Sequence, residues 1–401
     1  MKNIMRFALL GSMILFTTCQ KEDITVATKQ ACSFENNAAY KTHPKSAAFQ
    51  ALMDKYVQKG LPGMNLLVKD ESGIFVGSSG MADIQQGIPM QPCHIAKAAS
   101  ITKFYLGVAI MKLQEEGVLS LNDPLSKYIE KEKLDKIANG DKAITLRHLM
   151  NHTTGFYDVI SDNGFYLQVL NNPSKHWTGD ELLSFVYGKK ADTVFDPEHI
   201  ASYSNTNFLL LSIVIEKATG KPHSQVLHEK VLDKLGVQSS YYHWHDALPA
   251  NKIAQGYFDL YNNGTIVNLS NWNTGSGNGY GGLYATVWDL NAFIEALFVK
   301  KTLLSQASIN EMLVFHPTTE NRKNLGVACY RDFIDIGNPS KDYAWGHRGR
   351  DLAYTADLDY FPEHKATMAL MLNYGTDSES PLKTLFVAFR DEVAKTIVGA
   401  K

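Results

Sequence analysis

The clearest pattern along the chain is a helical repeat of apolar positions. Apolar residues recur at intervals of three and four from Ser100 to Glu116, and Gly117 ends the run. This spacing predicts a helix over that stretch. A second helix is predicted over residues 208–218, where nearly every position is apolar before Gly220. A helix that is apolar all round is expected to be buried.

Two predicted hairpins stand at opposite ends of the chain. Residues 64–69 and 74–77 flank a turn that contains glycine, and residues 352–361 and 365–374 flank a turn at 362–364. Both pairs have the composition of β-strands bounded by turn residues. A closing amphipathic helix is predicted from one apolar face, formed by Leu382, Leu385, Phe386, Phe389, Val393 and Ile397.

Helical patterns with long loops fill the chain between the hairpins, from about residue 100 to residue 275. We therefore predict a fold of the α/β (α+β) class. It consists of an antiparallel sheet built from both chain ends and flanked by helices, with a mostly helical second lobe inserted. No internal repeat or low-complexity linker divides the chain, so we expect one domain over residues 45–401.

The N-terminal segment has the pattern of an export signal. Basic residues within 1–6 precede the mostly apolar stretch 7–16, and Cys19 follows. This arrangement resembles a bacterial lipoprotein signal, in which the cysteine becomes the lipidated first residue. We expect residues 1–19 to be the signal peptide, residues 20–44 to be a tether, and the protein to be exported and lipid-anchored in the cell envelope. The alternative is a plain signal peptide in which the cysteine has no role.

Composition and charge narrow the range of partners. The chain of 401 residues is 45% apolar and 20% charged, with a formal net charge of −2. This is typical of a globular domain, and it provides no basic patch for nucleic acid. No apolar run after the N-terminal segment reaches the roughly 18–20 residues that span a membrane. Membrane contact is therefore expected through the lipid anchor only, and the oligomeric state stays open.

The sequence predicts no metal and no organic cofactor. The four cysteines have no zinc-type spacing, and His243, His245 and Asp246 lack the further ligand of a metal site. Residues 277–282 match G-x-G-x-x-G, but no strand–helix–strand unit surrounds them, so they are interpreted as a loop. A small-molecule or peptide substrate is the expected partner.

Ser100 and Lys103 are the strongest chemical signal in the sequence. Positions i and i+3 of a helix lie on one face, so the lysine amine can lie beside the serine hydroxyl. The helix is apolar nearly all round, which predicts a buried lysine whose charged form is disfavoured. A neutral lysine can take the serine proton and so create a nucleophile.

Two later segments carry residues that suit the same chemistry. Tyr203 can move a proton between nucleophile and leaving group, and Asn205 offers both a donor and an acceptor to a substrate amide. His347 is a cation-capable side chain expected near this tyrosine. Gly349 would let a substrate approach a strand edge closely.

The chain resembles the serine β-lactamase and penicillin-binding-protein superfamily in three motifs, in order and spacing: Ser100-x-x-Lys103, Tyr203-x-Asn205 and His347-x-Gly349. The resemblance runs from about residue 45 to residue 400 and favours the class C-like branch. That branch includes class C β-lactamases, D-alanyl-D-alanine carboxypeptidases, D-amino-acid peptidases and related esterases. It implies a serine hydrolase that forms an acyl-enzyme on small amides or esters, with a D-peptide of the cell wall or an ester favoured. A β-lactamase is the alternative within the enzymes, and a non-catalytic homologue that binds peptide or peptidoglycan is the alternative outside them.

The resemblance also implies a role for each residue. Ser100 would attack a carbonyl, and Lys103 would take its proton. Tyr203 would be the partner base and later the acid. Asn205 would hold the substrate amide, and His347 would tune the tyrosine and line the site.

The third motif departs from the family pattern at its middle position. The family has threonine or serine there, and this chain has Arg348, with Arg350 two residues later. The missing hydroxyl normally helps to hold a substrate carboxylate, which arginine can bind in a bidentate fork. Either Arg348 or Arg350 therefore replaces it, or the substrate has changed. The backbone N–H groups of Ser100 and Arg350 are implied to form the oxyanion hole.

Overall fold

A computed structural model describes residues 38–196, 200–318, 323–377 and 379–400 of the chain. The strands in these ranges are β1 (Gly63–Asp70), β2 (Gly73–Asp83), β3 (Ile88–Pro89), β4 (Ala96–Ala99), β5 (Tyr241–Tyr242), β6 (Tyr257–Phe258), β7 (Val267–Asn268), β8 (Leu283–Ala285), β9 (His316–Pro317), β10 (Asn324–Leu325), β11 (Tyr330–Asp332), β12 (Ala344–Arg350), β13 (Thr355–Phe361) and β14 (Ala366–Leu372). The helices are α1 (Ser46–Gln58), α2 (Ile101–Glu115), α3 (Lys131–Leu134), α4 (Leu146–Met150), α5 (Asn163–Asn171), α6 (Gly179–Ser184), α7 (Asn205–Thr219), α8 (His223–Leu227), α9 (Asp233–Leu235), α10 (Val287–Ile294), α11 (Gln306–Met312) and α12 (Lys383–Val398).

The main sheet joins the two ends of the chain. Its nine strands run in the order β3-β2-β1-β14-β13-β12-β11-β10-β9, and neighbouring strands are antiparallel. In its centre β1 pairs with β14, so that Leu66 lies opposite Leu370. The predicted antiparallel sheet built from both chain ends and flanked by helices is confirmed.

The two faces of this sheet are covered by different helices because side chains alternate along each strand. Leu66 of β1 and Leu370 of β14 pack in one cluster with the apolar faces of α1 and α12. Leu67 and Ala369 point the other way, into the larger core that includes α2, α10 and the helical lobe. Burial on both faces explains why β14 is almost wholly apolar and why Leu66, Leu67 and Val68 of β1 form a continuous apolar run.

The second hairpin is shorter than the sequence predicts. β13 begins at Thr355, and residues 352–354 belong to the turn between β12 and β13. The turn between β13 and β14 is a 3-10 segment at Pro362–His364, followed by Lys365 at a φ of 48°. These differences move strand ends and leave the pairing of the hairpin unchanged.

Helices α2–α9 occupy residues 101–235, and the short strands β5, β6 and β7 follow before residue 275. These strands were not part of the predicted lobe. β5 belongs to a three-stranded sheet of order β4-β8-β5, which holds the strand that leads into Ser100. No helix within the described ranges combines the length and apolar character needed to cross a bilayer.

The predicted signal peptide, Cys19 and residues 20–37 of the predicted tether lie outside the described residues. The last part of that tether is structured. Ala38–Tyr40 forms a 3-10 turn, and Lys41 makes a β-bridge with Phe75 of β2.

Candidate active site

Ser100 lies at the N-terminal cap of α2, directly after β4. Ala99 before it has a left-handed φ of 49°, which turns the chain sharply from strand to helix. Non-glycine residues in this region are sparse and tend to cluster at functional sites. The turn presents the hydroxyl at a helix N-terminus, where the helix dipole favours negative charge.

Lys103 is buried beneath this hydroxyl and has three hydrogen-bond partners. Its Nζ lies 3.0 Å from Ser100 Oγ, 2.7 Å from Asn205 Oδ1 and 2.6 Å from the Tyr280 carbonyl oxygen. Two of these partners can only accept. A neutral amine therefore donates its two N–H groups to these two acceptors, and its lone pair faces the serine hydroxyl.

The neutral form of Lys103 is favoured by its surroundings. Burial lowers the pKa of Lys103 to about 7, and the negative charges of Asp158 and Asp377 oppose this shift. A lysine with this proton affinity can accept the Ser100 proton near neutral pH.

Tyr203 reaches the same hydroxyl from another element. Its phenol hydrogen-bonds to the side chains of Ser100 and Tyr330, and its ring centroid lies 5.1 Å from Lys103 Nζ. Burial raises the pKa of Tyr203 well above its ordinary value, so the phenol keeps its proton. These pKa directions suit Lys103 to the predicted role of base and Tyr203 to that of a proton relay.

His152 supports Tyr203 from behind. The two rings stack with centroids 4.4 Å apart. His152 Nδ1 accepts the Ser204 backbone N–H at 3.1 Å, and burial together with the charge of Lys103 lowers the pKa of this histidine well below its ordinary value. The stacked ring is therefore a neutral imidazole.

His347 faces the site from β12. Its ring centroid lies 4.5 Å from that of Tyr330 and 6.4 Å from that of Tyr203. Nδ1 donates to the Arg348 carbonyl oxygen at 2.6 Å, and burial lowers the pKa of His347 well below its ordinary value, helped by the charge of Lys103. This residue therefore approaches the tyrosine as sequence reasoning expected, but as a neutral ring.

Gly349 brings β12 against the chain that leads to the nucleophile. A Cβ atom at this position would lie 2.1 Å from the Ala98 carbonyl oxygen, so only glycine fits. The close approach is to Ala98 rather than to a substrate, which changes the role expected from the sequence. It places the end of β12, with the backbone of Arg350, beside Ser100; the oxyanion hole stays a prediction.

The side chains of Arg348 and Arg350 point away from the site. Of the two alternatives from the sequence, this favours a changed substrate over an arginine that holds a substrate carboxylate. Arg348 forms a bidentate pair with Asp332, with Nη2 2.5 Å from Oδ1. Arg350 Nη1 lies 2.8 Å from Asp357 Oδ1. The physical reason is strand alternation: His347 faces the serine, so its neighbour faces the opposite side of the sheet.

Arg390 of α12 completes this network. Its guanidinium binds Asp332 at 2.9 Å and Asp357 at 2.6 Å. Both carboxylates are buried, and the neighbouring arginines hold their pKa values below the ordinary range against the effect of burial. The arginines therefore already form ion pairs with carboxylates of the protein itself.

Asn205 is the first residue of α7, and both ends of its side-chain amide form hydrogen bonds within the protein. Oδ1 accepts from Lys103, and Nδ2 donates to both carboxylate oxygens of Asp158, at 3.2 and 2.9 Å. In this structure the amide contacts Lys103 and Asp158. A group that binds substrate would instead be expected to face free space.

Sequence reasoning missed Asp158 and Tyr280. Asp158 lies six residues after His152, but nothing in the sequence around it indicates that it lies near Lys103 on another helix. Tyr280 contributes its backbone carbonyl, which no side-chain motif encodes. The glycines around it, over residues 277–282, were the available signal, because Gly279 lets this loop pass close to α7, where a Cβ atom would lie 2.4 Å from the Phe208 carbonyl oxygen.

The structure brings Ser100, Lys103 and Tyr203 together, an arrangement that would suit acyl transfer by a nucleophile with a base and a proton relay. No three His, Cys, Asp or Glu side chains in the described ranges are grouped to hold a metal ion.

Comparison with known proteins identifies the family. A family model described as beta-lactamase matches residues 46–389. The teichoic acid D-alanine hydrolase of Staphylococcus aureus is 28% identical over 245 residues, which are 60% of this chain and 56% of that protein. A second curated match, the protein flp of S. aureus, is covered over 41% of its length. The chain thus spans about half the length of the curated relatives it matches.

Solved structures agree on the fold. D-amino acid amidase from Ochrobactrum anthropi SV3 superposes with a TM-score of 0.76 at 23% identity, over 88% of this chain and 99% of that one. D-stereospecific amidohydrolase from a Streptomyces species gives a TM-score of 0.73 at 24% identity, over 86% and 98%. The extent of the family match, with the fold likeness, shows that this chain belongs to the beta-lactamase family, in the superfamily of β-lactamases and penicillin-binding proteins.

Proposed function

We propose that the protein is a serine hydrolase that acts through an acyl-enzyme on small D-aminoacyl amides or esters. The observation that carries the chemistry is the buried Lys103 amine, 3.0 Å from Ser100 Oγ with its other partners both acceptors. This geometry suits a neutral base beside a nucleophile.

The reaction would proceed in two balanced steps. Ser100 Oγ forms a bond to the substrate carbonyl carbon while its proton passes to Lys103 Nζ. The bond from that carbon to the leaving nitrogen or oxygen breaks, and the leaving group takes a proton relayed through Tyr203. The oxygen of a water then forms a bond to the acyl carbon, and one of the water's protons passes through Tyr203 and Lys103 to Ser100 Oγ. The bond from the acyl carbon to Oγ breaks, which releases the acid and restores the serine hydroxyl.

Two observations favour aminoacyl amides and esters over peptides recognised by a terminal carboxylate. Arg348 and Arg350, the cations nearest in sequence to the third motif, are bound to Asp332 and Asp357 on the far side of the sheet. Similar proteins carry the names D-amino acid amidase, D-stereospecific amidohydrolase and teichoic acid D-alanine hydrolase. D-alanyl-D-alanine carboxypeptidase and β-lactamase activities therefore rank behind.

The test uses D-alanine p-nitroanilide, its L-enantiomer, D-alanyl-D-alanine and a penicillin with the same enzyme preparation. We expect hydrolysis of the D-anilide faster than of the L-form, little release of D-alanine from the dipeptide, and no hydrolysis by Ser100→Ala. Intact mass should show an acyl adduct on the wild type alone. Faster turnover of the dipeptide or the penicillin than of the D-anilide would reject the proposed substrate class.

We also propose, from the sequence alone, that the protein is exported and lipid-anchored through Cys19, at the periplasmic or outer face of the envelope. Expression with labelled palmitate should label the wild type and leave Cys19→Ser unlabelled. Equal labelling of the two would reject the anchor.

A further inference from the structure

Asp158 has a buried carboxylate that is hydrogen-bonded to the side chain of Asn205, which in turn is hydrogen-bonded to Lys103. It caps the 3-10 segment Val159–Ser161 and accepts the backbone N–H of Ile160 at 3.3 Å. It also accepts the backbone N–H of Asn205 at 3.1 Å, and both of its oxygens accept from Nδ2 of that residue's amide. No lysine, arginine or histidine in the described part of the chain forms an ion pair with it. Its hydrogen bonds are therefore directed mainly at one residue.

These contacts fix the direction of the Asn205 amide. A carboxylate can only accept hydrogen bonds, so the Nδ2 end of the amide must face Asp158. The Oδ1 end must then face Lys103, where it lies 2.7 Å from Nζ. A rotated amide would place its oxygen against the carboxylate, which is repulsive.

The carboxylate also acts on the charge of Lys103. Asp158 and Asp377 favour the ammonium form, and burial opposes them. The other titratable groups that face this amine are Tyr203, Tyr280, His152 and His347, whose pKa shifts all favour the neutral side chain. Burial raises the pKa of Asp158 to about 6, so above that pH it is the buried negative charge in a set of otherwise neutral neighbours.

We propose that Asp158 is a positioning residue of the reaction, which orients Lys103 through the Asn205 amide and sets the pH at which this lysine takes the Ser100 proton. This inference rests on the proposed function only in using Lys103 as the base. It does not depend on which acyl group the enzyme accepts.

The test measures reaction of Ser100 with a fluorophosphonate, which needs the nucleophile and its base but no specific substrate. Ser100 Oγ bonds to phosphorus, the phosphorus–fluorine bond breaks, fluoride leaves, and the proton goes to Lys103. The rate of mass gain of the full chain is followed from pH 5 to pH 9 for the wild type and for Asp158→Asn. Asp162→Asn is the matched control, because Asp162 caps the neighbouring helix α5 and does not touch Asn205.

Loss of the negative charge should lower the pH at which labelling reaches half its maximum by about 1 unit. The maximal rate should fall by up to about 100-fold, because the amide is free to rotate and misplace the lysine. Asp162→Asn should behave as the wild type. The exchange variant Asp158→Asn with Asn205→Asp restores one amide and one carboxylate, with the charge now next to Lys103, so its midpoint should lie above that of the wild type.

An unchanged midpoint in both Asp158 variants would overturn the proposal, and so would a wild type whose Ser100 is never labelled. If Asp158→Asn does not fold, the exchange variant alone decides the outcome by the direction of its shift. A wild type that is labelled at Ser100 but hydrolyses no D-aminoacyl anilide rejects the proposed substrate class and leaves this test intact.

Discussion

His347 and Arg348 are neighbours in β12, yet they belong to opposite kinds of environment. On the serine side, buried Lys103, His152 and His347 have lowered pKa values, which favour their neutral forms. On the helix α12 side, Arg348 and its partners are charged and paired. One strand thus separates a region of neutral side chains, where we propose that a proton is moved, from a region of paired charges.

This difference has a physical reason. A proton can be exchanged at neutral pH only if the buried base is close to balance between its two forms, which requires few countercharges. Buried ion pairs work in the opposite way, because each charge is stable only while its partner is present. The two functions therefore call for separate faces of the sheet.

The largest expected effect is on the serine side. Replacing Lys103 by methionine removes the base, and kcat/KM for the D-anilide should fall by about 10³-fold. Thermal unfolding of the variant provides the control, because a folded protein with lost activity separates chemistry from stability. Activity within a few-fold of the wild type would mean that another group takes the Ser100 proton.

Arg390→Met should have its main effect on stability. Arg390 is 1% exposed, and its loss leaves Asp332 and Asp357 short of a partner. We expect the free energy of unfolding to fall by about 3–5 kcal/mol. In the matched control Lys55→Met, the exposed pair with Glu392 between α1 and α12 is lost, and the change should stay below about 1 kcal/mol. Similar losses in both variants, measured by urea titration, would contradict this ranking.

Acidification should separate the two faces by pH. On the serine side, protonation of Lys103, whose pKa is about 7, should lower kcat/KM by about tenfold for each pH unit below that value. On the other side, the folded pKa values of Asp332 and Asp357 are depressed, so their stabilisation is fully present above the unfolded value of about 3.9. It is lost only as the pH falls from there towards the folded values. Activity, and the urea concentration at the midpoint of fluorescence-detected unfolding, should therefore fall in two separate ranges when they are followed from pH 9 to pH 2.

His152 offers a finer test of the neutral side. The variant His152→Asn keeps an acceptor for the Ser204 N–H and tolerates the left-handed φ of 58°, but it loses the ring stacked on Tyr203. We expect kcat to fall by about tenfold with KM nearly unchanged, because the loosened phenol relays protons less well. In His148→Asn, a histidine of the same segment that does not contact Tyr203 is changed, so kcat should be retained. A rise in KM alone would show that His152 acts on substrate binding instead.

The sequence alone predicts the fold more completely than it predicts the site. The sheet was predictable because strand patterns at both chain ends are local, and the i, i+3 spacing of Ser100 and Lys103 is local too. The partners of these residues are not. Asp158 acts through an amide on another helix, Tyr280 acts through its backbone, and the carboxylates that pair with Arg348 and Arg350 come from β11 and β13. Motifs therefore predict which residues do chemistry better than they predict what surrounds them.

The smallest expected effect bears most directly on the two sides of β12. If Arg348 serves only the charged network, Arg348→Met should leave the ratio of kcat/KM values for D-alanine p-nitroanilide and D-alanyl-D-alanine unchanged. Its effect should be confined to stability, because Asp332 keeps Arg390 as its second cation. If the variant instead selectively loses activity on the carboxylate-bearing dipeptide, the wild-type Arg348 guanidinium must reach the substrate. The two faces of the sheet would then not have separate functions at this residue.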